Sequence, residues 1–271
     1  MNAAIVRKTL RDAMPLLVLL VPAAILFEIA LVFMVSAYAD QITDVWRSLS
    51  FARELIGAMV GDDLLESTTP TGLMSIGMAH PILYALCWIL LLTNCTRVTV
   101  GEIDRGTADL LLTLPVSRST LYISVSAVWL LCAALISAAP WCGIWLGSRL
   151  AALEEPIRLA PMGLVAVNLF VLNVAIGALA MMVSSFLSRR GLAVGIALGL
   201  VLVSFLLGFL AQAWPAAEGF GFLGLLHYYQ PLPIVRSGVI PAHALLVLGA
   251  VAVVSWTVGL WQFRRRDIPA V

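Results

Sequence analysis

The chain has 271 residues, of which 62% are hydrophobic and 11% charged, with a mean hydropathy of +1.03. Soluble domains average about 45–50% apolar and about 25% charged residues, so the composition excludes a soluble globular protein. The net charge of +1 gives nucleic acid no electrostatic reason to bind. The apolar runs are helix-length, which defines an all-α integral membrane protein with one transmembrane domain over residues 1–271.

Residues 1–14 alternate Arg7, Lys8, Arg11 and Asp12 with Ile5, Val6, Leu10 and Met14. This pattern predicts an amphipathic helix in the membrane interface. Pro15–Tyr38 follows as the first span. It is longer than the apolar core of a signal peptide and is interrupted by Glu28, so it is read as uncleaved. Ala39–Ala79 is the longest polar excursion, acidic and amphipathic, and its tail Glu66–Gly72 has turn composition. His80–Val100 is the second span, opened by Pro81. The third span, Ser119–Leu150, holds Pro140, where a kink is expected. Met162–Leu187, Gly191–Ala213 and Pro241–Phe263 complete six spans. The last two are separated by an aromatic excursion with Trp214, Tyr228 and Tyr229, read as an interfacial belt.

Between the second and third spans lies Gly101–Arg118, GEIDRGTADLLLTLPVSR, a charged island flanked by apolar blocks. Glu102, Asp104, Arg105 and Asp109 are assigned to the wet side of a short amphipathic helix, and Pro115 ends it. Thr107 is placed as an N-cap, without a capping box because Leu110 stands three residues on. The pattern Glu102-x-x-x-Gly106-Thr107-x-x-x-Leu111-x-x-x-Pro115-x-Ser117-Arg118 resembles the coupling segment of ABC-2-type transporter permeases.

That resemblance implies a cytoplasmic coupling helix that docks on a separate ABC ATP-binding subunit. Two such subunits would bind the ATP and magnesium, with no cofactor on this chain, and a second permease copy would complete an exporter. In this reading Leu111 and Leu114 are apolar knobs for a groove on the ATPase. Glu102, Asp104 and Arg105 form the charged rim, and Arg118 anchors the end at headgroups or on a partner carboxylate. The turn Ser188-Arg189-Arg190 either meets the same partner or serves only as a topology signal.

Orientation comes from other residues. With both termini cytoplasmic, the inner segments hold eleven of the 16 basic residues, and the outer loops dilute the remaining five with nine carboxylates. This places the chain as a multi-pass protein of a prokaryotic cytoplasmic membrane. A periplasmic accessory protein could then dock on residues 39–79. The sequence contains no GxxxxGK[ST], GxSxG or HExxH, so an ATPase or hydrolase site within it is not expected. The four cysteines lie in apolar segments without metal spacing, and His80, His227 and His243 are dispersed.

Glu28 stands near mid-bilayer, where an ionisable group is expensive. It either lines a translocation path or pairs at a dimer seam. Gly191, Gly195 and Gly199 recur every four residues on one helix face, suited either to a permease–permease seam or to close packing within the subunit. The rival reading is a stand-alone membrane protein: a secondary transporter, an intramembrane enzyme or an assembly scaffold. The spans show no paired ionisable groups or inverted repeat of broken helices, which argues against a secondary transporter.

Overall fold

The computed structural model describes residues 1–48, 69–104, 116–153 and 155–266. Among them are six helices long and apolar enough to cross a membrane, and no strand. The elements are α1 (Ala3–Ser48), α2 (Pro70–Gly77), α3 (Pro81–Arg97), a single turn α4 (Gly101–Asp104), α5 (Arg118–Leu150), α6 (Leu159–Phe186), α7 (Arg190–Ala213), α8 (Pro231–Ser237) and α9 (Ala242–Arg265). Two 3-10 segments, Pro215–Leu223 and Leu225–Tyr228, link α7 to α8.

The expected interfacial helix does not stand apart from the first span. α1 is helical from Ala3 onward, with Pro15 and Pro22 inside it, and its only non-helical residue is Tyr38. The reason is a buried stripe that never breaks. Ile5, Thr9, Ala13, Leu17, Leu20, Ala24, Glu28, Val32 and Val35 are all buried, at spacings of three and four. One face therefore packs along its length, chiefly on α5, and this outweighs the hydrogen bonds the prolines remove.

The second crossing also departs from expectation. It begins at Pro70, ten residues early, as α2 leading into α3. Thr69 caps α2 by accepting from the Gly72 N–H at 3.1 Å, with Pro70 in the first turn. His80 caps α3 in turn, its Nδ1 accepting from the Ile82 N–H at 3.2 Å. The Thr-Pro-Gly composition marks a helix start rather than a loop. The other four spans lie where the hydropathy put them, and α5 continues through Pro140 without an interruption.

α5 and α6 form the centre, with 61% of their most apolar window buried against 28% for α1, α7 and α9. α6 packs on α9, α5, α3, α7 and α8. Hydrogen bonds cross between these helices: Asn173 Nδ2 donates to Ser137 Oγ at 2.9 Å, and Trp256 Nε1 to Ser126 Oγ at 2.8 Å. Glycines set the closest approaches. A Cβ on Gly143 would fall 2.5 Å from the Ile25 carbonyl oxygen, and one on Gly147 would lie 2.8 Å from Val32 Cβ. Gly177 makes the same room for the Trp129 ring.

Gly143→Ala is expected to lower stability by about 1–3 kcal/mol through overpacking of the α1–α5 contact. Gly249→Ala, where nothing lies within 4 Å among the described residues, is expected to stay within about 0.5 kcal/mol. The order of apparent melting points in detergent, followed by size-exclusion chromatography after heating, checks this contrast.

Candidate functional site

Charged residues gather at the end of the bundle that carries both termini, around the two flanks of the Gly101–Arg118 segment. α4 continues the backbone helically, the Asp104 N–H donating to the Val100 carbonyl at 2.9 Å. Glu102 is buried, and its Oε1 receives a hydrogen bond from Lys8 Nζ of α1 at 3.2 Å. Asp104 Oδ2 accepts from the backbone N–H of Arg190, the first residue of α7, at 3.2 Å. There the carboxylate also meets the positive end of the helix dipole. The Arg190 guanidinium turns back to the Thr93 carbonyl at 3.3 Å, and its stem lies where a Cβ on Gly101 would sit.

Neighbouring contacts extend this clasp. Arg97 Nη1 donates to the Asp12 carbonyl at 2.6 Å, with the Asp12 carboxylate 4.0 Å from Nε. Thr99 and Ser184 share a hydroxyl–hydroxyl bond of 2.7 Å between the end of α3 and α6. On the far flank Ser117 caps α5, accepting from the Thr120 N–H at 3.1 Å. Arg118 Nη1 donates to the Arg266 carbonyl. Arg266 in turn donates to the Leu187 carbonyl and to Ser188 Oγ, each at 2.6 Å. The segment thus leaves from a clasp on α1 and α7 and returns to one beyond α9.

One placement differs from the sequence reading. Glu102 does not sit on a wet face: its turn folds inward, because Lys8 and the adjacent helices give the carboxylate a partner and a cover. Arg118 donates through Nη1 to the Arg266 backbone carbonyl of the same chain. Arg105, Gly106, Thr107, Leu111, Leu114 and Pro115 lie outside the described residues. Lys8, Asp12, Arg97 and Arg266 were not singled out as part of the site. Their signal was the basic face of the first helix opposite the acidic start of the segment.

Glu28 is fully buried, and neither carboxylate oxygen has a hydrogen-bond partner. Its stem packs on Gly143 of α5, and Oε2 lies 3.4 Å from where a Cβ of Gly77 on α2 would stand. Glu28 is enclosed within the single chain. Gly191, Gly195 and Gly199 have the opposite character. Among the described residues nothing lies within 4 Å of a Cβ on any of them. Leu192, Ile196 and Leu200 are exposed beside them. Tyr229 is buried rather than part of an aromatic belt, and its hydroxyl donates to the Met78 carbonyl at 2.9 Å. His227 lies in the second 3-10 segment, and burial with the neighbouring His243 holds its imidazole below the usual range.

Six helices long and apolar enough to cross a membrane, with charged residues gathered at one end, define a polytopic all-α membrane protein. The family model described as ABC-2 family transporter protein matches residues 3–268, and the chain belongs to that family. It is therefore the kind of membrane component that works with an ABC ATP-binding subunit. No curated protein matches the chain.

Lys8 is half exposed, so its pair with Glu102 is worth no more than about 1 kcal/mol. Lys8→Glu alone is expected to lower the melting point, and Lys8→Glu combined with Glu102→Lys is expected to regain most of that loss. Additive losses in the double variant, measured by the same heating assay, would show that the two side chains do not interact.

Proposed function

We propose that this chain is the membrane subunit of an ATP-driven exporter in a prokaryotic cytoplasmic membrane, with both termini in the cytoplasm. Two copies, or one copy with a similar permease, assemble with two separate ATP-binding subunits that hold the ATP and magnesium. Residues 101–118 dock on those subunits. Leu111 and Leu114 fill a groove, Arg105 and Asp104 lie at its edge, and Gly106-Thr107 and Pro115 set the turns at either end. Arg189 and Arg190 lie beside the same contact. The excursion read at residues 39–79, shortened to the part ahead of Pro70 because the second crossing starts there, faces outward and offers a place for an accessory protein.

The observation that carries this reading is the clasp on both flanks of the segment. A carboxylate bonded to α1, another bonded to the start of α7 and an arginine bonded beyond α9 give a push on the segment three rigid routes into the bundle. Closure of the ATP-binding subunits would then tilt spans as bodies between inward- and outward-open states. The uncovered glycine face of α7 favours a seam between two permeases there, since a second backbone can approach it closely.

Purification from native membranes through a tag on this chain is expected to bring down a Walker-motif ATPase in stoichiometric amount. Leu111→Asp is expected to abolish that association or the ATPase response while the permease stays monodisperse. A clean preparation without any ATPase contradicts the proposal. Gly195→Trp is expected to leave the monomer folded and to abolish cross-linking between copies through a cysteine at position 199; unchanged cross-linking would place the seam elsewhere.

A further inference from the structure

The last span ends in three consecutive arginines that do two different things. Arg266 turns inward, donating to the Leu187 carbonyl and to Ser188 Oγ, each at 2.6 Å. Arg264 and Arg265 are exposed, and neither has a hydrogen-bond acceptor or a carboxylate partner among the described residues. The described carboxylates at this end are Asp12, Glu102 and Asp104, which face Arg97, Lys8 and the Arg190 N–H instead. Asp267 lies outside the described residues. Arg189, in the turn that receives Arg266, is exposed as well and adds charge of the same sign.

Toward the hydrocarbon the same helix face changes character in steps. Val254, Val258 and Trp261 are exposed at spacings of four and three, and Arg264 and Arg265 continue that stripe. Trp256 contrasts with Trp261, since its Nε1 is bonded inward to Ser126 Oγ. The Arg265 guanidinium lies over the Trp261 ring, 4.6 Å from its centroid, so one of the two cations is already held in place. One face thus presents valines, then an indole, then two guanidiniums without acceptors. A phospholipid presents the matching order of acyl chain, glycerol and phosphate. Tryptophan favours the headgroup level, and arginines just outside a span attract anionic headgroups. An acidic soluble protein would match the arginines and leave the valines of a membrane-crossing helix uncovered.

We propose that Trp261, Arg264 and Arg265 form a binding site for an anionic phospholipid, in the leaflet on the side of the termini. The phosphate is held by the two guanidiniums, the glycerol lies against the indole, and an acyl chain runs along Val258 and Val254. A lipid held there fixes the end of α9, where the Arg266 carbonyl receives Arg118 and the Arg266 guanidinium receives the α6–α7 turn. The site goes beyond the permease reading and does not depend on an ATPase.

The test uses phosphatidylglycerol and phosphatidylcholine with the same brominated acyl chains, which quench tryptophan on contact. The purified chain in detergent micelles is titrated with each lipid. The signal of Trp261 is the difference between the unaltered chain and Trp261→Phe. Each arginine is expected to contribute about fivefold, so Trp261 is half quenched at about 25-fold less phosphatidylglycerol than phosphatidylcholine. Arg264→Gln and Arg265→Gln each lower that preference by about fivefold. Arg266→Gln removes the same charge from a guanidinium already bonded inward and is expected to leave the preference in place. Equal quenching by the two lipids in the unaltered chain overturns the site without reference to any variant. So does a preference that falls equally in all three arginine variants, which is a general effect of charge, or one that Arg264→Gln and Arg265→Gln leave unchanged. Loss of an ATPase from those two variants with the lipid preference intact would assign the face to a protein contact and likewise overturn the site. The expected headgroup preference in a preparation without any ATPase would support the site and contradict only the permease reading.

Discussion

Hydrocarbon offers no partner to a charge or a bare peptide group, and this single constraint sorts the molecule. Backbone groups are satisfied within helices, and ionisable side chains are driven to the helix ends. At the end carrying the termini that crowding becomes useful. Lys8, Asp12, Arg97, Glu102, Asp104, Arg118, Arg190 and Arg266 bond to one another or to backbone groups of neighbouring elements. Each contact alone is modest because most are partly exposed. Their value lies in placement, since together they tie the start and finish of one polar segment to several spans.

The bundle behind that clasp is graded. α5 and α6 are enclosed and carry the interhelical hydrogen bonds, while α1, α7 and α9 each keep a wide lipid-facing surface. The space at glycines 143, 147 and 177 is filled by neighbouring atoms, whereas those at 191, 195 and 199 meet nothing among the described residues. The same residue type thus serves closure inside the subunit in one helix and leaves an open face in another. Glu28 sits where α1, α2 and α5 converge, the one carboxyl among the described residues that is fully buried.

Much of the architecture was readable from hydropathy alone. The third to sixth spans begin and end within three residues of expectation, because their apolar runs are bounded by arginine, proline or glycine. The misreadings have physical causes. Pro15 looked like a boundary, yet the buried stripe from Ile5 to Val35 continues through it. Thr69-Pro70-Thr71-Gly72 looked like a turn, yet a threonine followed by proline is equally a cap and first helical turn. The wet side assigned to Glu102 failed because its partner, Lys8, lies 94 residues away, and local periodicity holds no record of such contacts. Tyr229 was taken for an interfacial aromatic for the same reason: its acceptor, Met78, is 151 residues distant. Family membership was carried by one short segment, and that segment's flanks are where the charged contacts converge.

The central claim is that the segment between the second and third spans touches an ATP-binding subunit. A photo-crosslinking amino acid placed at position 111, irradiated in native membranes and followed by mass spectrometry of the adduct, tests it without purification. The account predicts one dominant adduct, to a protein bearing Walker motifs, whose yield changes when ATP hydrolysis is blocked. Adducts only to lipid or to another copy of this chain would contradict it.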